Sequence, residues 1–521
     1  MNRLARLAPL LLACGAPLTL AAQAIDRDRP PTLAPPSDLR LPPVQTAKLA
    51  NGVTLHVVEM HKVPLVQVLL RVKGGGRLDG DRAGLASFTA RMLTEGAGAR
   101  DAFAIAAEAA YLGARLDATA DWDYVSVSLS APRRTLAPAL DLLVDVALRP
   151  TFRSADVIRQ RDLRLAEIIQ SHAEPGPMAS LAFNAILFPA AHPYHRPLDG
   201  DSLATAGLDS ATVRGFYTRT FRPDRTELII TGDITLAEAR TEIASRFGGW
   251  IPNRMTPPRA PVPAPLRRPL GRTIFLVDKP GAAQSVIVIG GPGVARTSPD
   301  YPAIEVMNTI LGGSFSSRLN QNLREAKGYT YGAGSAFIYR PVPGPFLARS
   351  AVRTNVTDSA LVEFFHELSA IRDSAVSPTE LTRARNYIAL GLPGEFETTG
   401  QMAGQVATLL TFGLPSTYFN TFVRRVMAVN AADVQRVARA YFDPARVDVV
   451  IVGDVARIRP GIEALGLGPV VLRNLEGNEE YSDQARSSVE VRKRLTENRT
   501  QADTFGRWCQ AGLMPGFFLL H

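Results

Sequence analysis

Two periodicities take turns along this chain. Residues Leu49 to Val58 and Val63 to Val72 carry the short-period apolar pattern of strands, the second alternating around Leu65, Gln67, Leu69 and Arg71 before Gly74-Gly75-Gly76 ends it. The pattern then changes to a helical one. Between Gly84 and Gly96, Leu85, Phe88 and Met92 fall on one face with Thr89 and Leu93 flanking it. Ser87 and Arg91, four apart, share the opposite face, with Ala90 beside them. A small-residue helix follows at Ala102 to Leu112, an alternating strand around Tyr124, Val125, Val127 and Leu129, and a helix at Val157 to Ile169. Further on, Thr273 to Val277 and Ser285 to Gly290 predict strands. Ile304, Met307, Ile310 and Leu311 mark a helix, as do Leu361 to Ile371 and Leu381 to Leu390, and Gly391-Leu392-Pro393-Gly394 breaks the last.

One stretch organises the second half: Leu311 to Gly332, LGGSFSSRLNQNLREAKGYTYG. Ser314, Ser316 and Ser317 offer cap oxygens, Leu319, Leu323 and Ala326 recur at helical spacing, and Gly328 is placed as a left-handed stop. Tyr329-Thr330-Tyr331 then alternates like a strand. Arg324 is expected near the helix end with Tyr331 across the turn, a cation and a phenol suited to gripping a carbonyl. The plainer reading is a surface Arg and a packed Tyr.

The chain repeats itself. Phe221-Arg222-Pro223-Asp224-Arg225, a strand and Gly232-Asp233 return 221 positions later as Phe442-Asp443-Pro444-Ala445-Arg446, a strand and Gly453-Asp454. A duplicated architecture follows: an N-terminal domain at 47–250, a linker at 251–272 carrying seven prolines, and a C-terminal domain at 273–475. Residues 25–46 read as an extended Pro-rich leader and 476–521 as a polar tail with an apolar end, expected to be disordered.

Composition narrows the function classes. The net charge of +9 comes from scattered arginines with no run longer than Arg492-Lys493-Arg494, which argues against a nucleic-acid groove. Cys14 and Cys509 are the only cysteines, so no disulfide framework and no cysteine-based zinc site is available. Met1 to Ala24 has a positive start, an apolar run and an Ala22-Gln23-Ala24 cleavage pattern, which predicts an exported, periplasmic protein. The run is too short and Pro-interrupted for a stable membrane span. Leu11-Leu12-Ala13-Cys14 is weakly similar to a lipoprotein box, so anchoring at Cys14 is the minority expectation.

These motifs together resemble the pitrilysin/insulinase-type metallopeptidases, including the mitochondrial processing peptidase subunits. The R-E-x-x-G-x-x-Y pattern puts Arg324 and Tyr331 on the family's substrate-binding Arg and Tyr. The 84–96 helix stands where active members carry H-x-x-E-H, whose two His hold zinc and whose Glu is the base. Here those positions are Ser87, Ala90 and Arg91. Ser and Arg are not zinc ligands, a guanidinium having no lone pair to give, and Ala90 is no base. Glu167, in Ala-Glu-Ile, falls on the distal zinc-ligand Glu; without the resemblance it is an ordinary helical Glu beside Arg164. His192-Pro193-Tyr194-His195-Arg196-Pro197 matches a family loop, its two His read as loop structure. No metal site is expected in this chain.

The resemblance implies an α+β fold of two duplicated halves, each a β-sheet with helices packed on one face, facing each other across a cleft. It also implies a function: a non-catalytic subunit whose Arg324 and Tyr331 hold peptide substrate, with zinc in a homologous partner chain. The alternatives are a purely structural relative with vestigial sites and a peptidase with an unrecognised metal site. The spacing of the seven His disfavours the last.

Overall fold

The strands predicted by alternation form two six-stranded sheets in the computed structural model, which describes residues 35–252 and 255–478. In the first, the order is Gln45–Lys48, Thr54–Glu59, Thr226–Gly232, Leu65–Lys73, Tyr124–Pro132, Arg115–Ala120. The second, read in the matching direction, runs Val470–Leu472, Thr273–Asp278, Asp448–Gly453, Gln284–Pro292, Pro345–Arg353, Thr330–Phe337. The five inner and far-edge strands correspond one to one, each sheet with its parallel pair at the same place: Thr54–Glu59 beside Thr226–Gly232, and Thr273–Asp278 beside Asp448–Gly453. Only the first strand differs, antiparallel in one half and parallel in the other. The duplication read from the sequence is thus present strand by strand.

Side-chain alternation sends Leu55, Val57, Val68, Leu70 and Ile230 to one face of the first sheet, where they pack with Phe88, Met92, Leu140 and Phe216 from its own helices. In the second half Ile274, Leu276, Ile287 and Ile451 do the same against Ile304, Met307, Phe364 and Val437. The opposite faces are covered as well, and the halves cover each other. The Pro175–Leu187 helix of the first half lays Met178, Ala182 and Phe183 on Phe275, Val286, Val288 and Val450 of the second sheet. The Thr399–Phe412 helix of the second half lays Met402, Ala403 and Val406 against Val58 and Ile229 of the first.

Polar contacts fix this exchange. Thr231 Oγ1 donates to Thr399 O at 2.7 Å, and the buried Arg71 donates to Ala407 O at 3.2 Å and to Thr411 Oγ1. Arg71 also stacks 3.6 Å above the Tyr124 ring, with Glu227 at 3.8 Å. Gly290 admits the other helix: a Cβ there would lie 2.8 Å from Phe183 Cζ and 2.3 Å from Phe346 O.

The proline-rich linker is held by arginines of the first half. Arg222, Arg225 and Arg77 donate to the carbonyls of Met255, Pro258 and Pro261 at 2.8, 3.0 and 3.2 Å. Proline removes donors but leaves its carbonyls, so a Pro-rich strap is well matched to a row of guanidiniums. Among the described residues no helix is long and apolar enough to cross a membrane. The predicted export signal, the Cys14 box and nearly all of the tail lie outside the described residues.

Candidate functional site

The Leu85–Leu93 helix starts from Gly84, whose φ of +87° only glycine adopts easily. Gly84 and Gly200, the latter at φ +86°, touch so closely that a Cβ on either would lie 2.6 Å or less from a backbone oxygen across the contact. That approach carries the Asp199 loop to the helix. Asp79 caps the same helix end, accepting from Gly84 N at 2.9 Å and Ala86 N at 2.8 Å. Burial pushes the Asp79 carboxyl up to about 7, against the pull of those N–H groups.

The helix buries Leu85, Phe88 and Met92, as its periodicity predicts, and turns Ser87 and Arg91 toward an open cavity of about 840 Å³. Ala90, which the family resemblance aligns with the catalytic base, is fully buried. Across the cavity runs the Ser154–Ser171 helix with Arg164 and Glu167. Arg91 and Glu167 meet in a two-pronged pair, Nη1 to Oε2 at 2.9 Å and Nη2 to Oε1 at 2.6 Å. Arg164 Nε stands 3.6 Å from the same carboxylate, so the plain helical pairing is present too. Ser87 Oγ donates to Asp199 Oδ1 at 2.5 Å, and Arg164 Nη1 donates to Asp199 O at 2.8 Å.

Two guanidiniums and two carboxylates therefore interlock at this place. The Arg91 guanidinium, with help from Arg164, holds the Glu167 carboxyl below its usual range. Arg164 is buried, and that burial weakens its grip on its own proton. The donor set does not fit zinc: a cation there would meet two guanidiniums, one hydroxyl and the Glu167 and Asp199 carboxylates, both already engaged by Arg91, Arg164 and Ser87. Among the described residues no group of three His, Cys, Asp or Glu side chains is gathered to hold a metal ion.

The histidine loop is built for support. His192 is buried, its Nδ1 accepting from Tyr194 N at 3.1 Å, and burial pushes its pKa down to about 4. His195 Nδ1 lies 2.8 Å from Phe188 O.

Arg324 and Tyr331 lie on the other half and do not line this cavity. The helix between them and the Gly-Gly pair departs from simple α-geometry. A short Arg318–Asn320 turn widens into a π-helix over Gln321–Ala326, the form of helix that recurs at functional sites. Ser317 occupies the N-cap, but its hydroxyl makes no cap bond and is buried without a partner; Ser314 donates to Thr309 O instead. Gly328 is the left-handed stop, φ +62°. Asn322, bonded to Glu363 and Glu367 at 2.9 and 2.8 Å, anchors the wide turn. Arg324 leans 4.4 Å over the Phe315 ring and reaches Glu325 at 3.3 Å. Tyr331 is 90% exposed and its hydroxyl makes no hydrogen bond among the described residues. The two side chains are not held against each other; both are presented outward.

Residues 56–197 match the family model described as Insulinase (Peptidase family M16), and 207–388 match the Peptidase M16 inactive domain. An uncharacterized zinc protease of Mycobacterium leprae is 28% identical over 293 residues, 55% of this chain and 64% of that protein, so the match spans just under two thirds of its length. One from Mycobacterium tuberculosis is 26% identical over 363 residues, 68% of this chain and 81% of the relative. Subunit 1 of the mitochondrial cytochrome b-c1 complex of Bos taurus is 23% identical over 298 residues, 54% and 61%. Among solved structures, a peptidase M16 inactive domain from Pseudomonas fluorescens superposes with a TM-score of 0.73 at 26% identity, covering 79% of this chain and 98% of that one. A protease from Helicobacter pylori gives 0.74 at 18%, covering 80% and 100%, and so shares the fold. With both family domains matched in order and the duplicated sheets on which they rest, the chain belongs to the insulinase family, peptidase family M16.

Proposed function

We propose that this chain is the non-catalytic member of a two-chain, exported peptidase, which offers Arg324 and Tyr331 to peptide substrate while a homologous zinc-bearing partner does the chemistry. One observation carries the reading: Arg91, Arg164, Glu167 and Asp199 of the N-terminal site are engaged with one another, whereas the phenol of Tyr331 is exposed and makes no hydrogen bond among the described residues. A hydroxyl without a protein partner is free to donate to a peptide carbonyl. Arg324, whose side chain is tethered among the described residues to its neighbour Glu325 and an aromatic ring, can turn its fork to the same backbone. Attack on a peptide bond puts negative charge on the carbonyl oxygen, and fixed donors aimed there act most strongly where water is excluded.

Co-expression with a homologue carrying an intact H-x-x-E-H, followed by sizing and a peptide-cleavage assay, tests this. The pair is expected to co-elute and cleave, each chain alone being inactive. Tyr331→Phe is expected to leave assembly intact and lower the activity of the pair about 10²-fold, as loss of one oxyanion donor does. Arg324→Ala is expected to raise KM as well as lower kcat. Full activity in both variants sinks the proposal. The likeness to a cytochrome b-c1 subunit favours a second reading, a structural subunit with vestigial Arg324 and Tyr331, which that result would support.

A further inference from the structure

A second pocket, of about 210 Å³, lies where the two halves meet. Its walls are aromatic on the side of the first half, Trp122, Phe183, Phe188 and Tyr194, and the second half contributes Arg340 and Arg349. The aromatic wall is closely packed. Trp122 and Tyr194 stand 4.8 Å apart, Tyr194 meets Phe188 edge-on at 5.6 Å, and all three are buried.

Neither arginine is paired with a carboxylate among the described residues. The Arg340 guanidinium sits 5.1 Å from the Tyr194 ring and 5.9 Å from the Trp122 ring, and its Nε is buried without a partner. Its nearest acids are engaged elsewhere: Asp123 with Arg77 at 2.8 Å, and Asp121 with the backbone N–H groups of Asp123 and Tyr124 at 2.7 Å. Burial weakens Arg340's hold on its proton, as for a cation taken out of water with no anion supplied. Such a group binds a planar oxyanion in two parallel bonds at little further desolvation cost. The cavity beside Arg91 has the opposite balance, four carboxylates against two guanidiniums.

We infer that this pocket binds a small carboxylate with an aromatic or branched apolar body, the anion held by Arg340 and Arg349 and the body against Trp122 and Phe183. Its volume lies below the ~300–1,000 Å³ of drug-sized sites, which limits the occupant to about one residue. Both a free acid of that kind and the C-terminal residue of a peptide present this chemistry. The site needs no partner chain, so its fate and that of the Arg324/Tyr331 reading are separable.

Calorimetric titration of the full chain with N-acetyl-phenylalanine tests it, the probe's amide and N-acetyl-lysine serving as comparisons. The acid is expected to bind saturably and both comparison probes at least about tenfold more weakly, since one lacks the anion and the other brings a like charge. Arg340→Gln is expected to weaken the acid by a similar factor. Arg349→Gln, on the exposed side of its strand, tests the same point where folding is not at stake. Ala-Ala-Phe distinguishes the sources: binding as tight as the acid assigns a peptide end, exclusion assigns a free carboxylate. Equal binding of acid and amide, an unaltered affinity in Arg349→Gln, or no saturation by about 10 mM acid overturns the inference.

Discussion

The two halves have the same sheet and differ in what stands over it. In the second half the Pro378–Gly391 helix packs directly on the Tyr301–Leu311 helix, whose Ile304, Met307 and Ile310 are buried, and the space closes. In the first, the Ser154–Ser171 helix stands away from Leu85–Leu93 and leaves the large cavity that Arg91 and Glu167 span. A closed repeat needs no chemistry to be stable. An open one leaves charged side chains facing the cavity, and here Arg91, Arg164, Glu167 and Asp199 pair with one another. The two copies thus differ in packing: one leaves room beside its helix pair, the other closes that space beneath the turn that carries Arg324.

Phe183→Ala gives the largest expected break in that symmetry. It empties a site 2% exposed at the heart of one exchanged helix and is expected to cost about 3–5 kcal/mol in urea unfolding. Val406→Ala, its counterpart in the other helix, removes less volume and is expected to cost less.

Acids ahead of the two equivalent helices sharpen the comparison through pH. Asp79 has its folded pKa raised to about 7 by burial, so it favours the fold while protonated. That contribution is complete below the unfolded value near 4 and is lost as pH rises to 7. At ~1.4 kcal/mol per pH unit the loss is on the order of 4 kcal/mol. Asp79→Asn is expected to flatten this part of the stability–pH curve. Asp300, at the start of the second helix, behaves oppositely. The Arg436 fork at 2.7 and 3.0 Å and the Tyr441 hydroxyl at 2.7 Å hold its pKa below the usual value. Its contribution is present at neutral pH and disappears as pH falls through the folded pKa, so Asp300→Asn should lower stability at pH 7 and leave it unchanged at the acid end.

The smallest expected effect is at the pair that fills the first site. Glu167 is about half exposed, so Glu167→Ala is expected to cost under ~1 kcal/mol in the same unfolding assay, despite its two short bonds. A loss of several kcal/mol would mean the four-group network acts as one unit.

Much of this was legible in the chain. The 221-residue repeat announced the paired sheets, and Leu85, Phe88 and Met92 announced which helix face is buried. The Arg91–Glu167 pair could be anticipated only by aligning both on the family's metal ligands, since they lie 76 positions apart. Asp199 was not anticipated, because a lone Asp before Gly200 reads as turn chemistry; its place beside Ser87 depends on the Gly84–Gly200 contact. The exchanged helices were also missed. Their stretches, PGPMASLAFNAIL and TGQMAGQVATLLTF, carry Pro or Gly in the first turn and intersperse Ala, Ser and Thr among their apolar residues, which blurs a helical period. The signal was in the strands beneath them. Asp448–Gly453, DVVIVG, is apolar on both faces, and a strand of that kind must be covered twice.

That double covering bears on what a protease could do to the molecule. Each half holds its sheet closed with a helix borrowed from the other, and the chain passes from one half to the other through the proline strap clamped by Arg77, Arg222 and Arg225. A single cut in the strap leaves two fragments, neither of which has a complete core alone. They are bound to stay together as a nicked whole, and separating them would mean unfolding both.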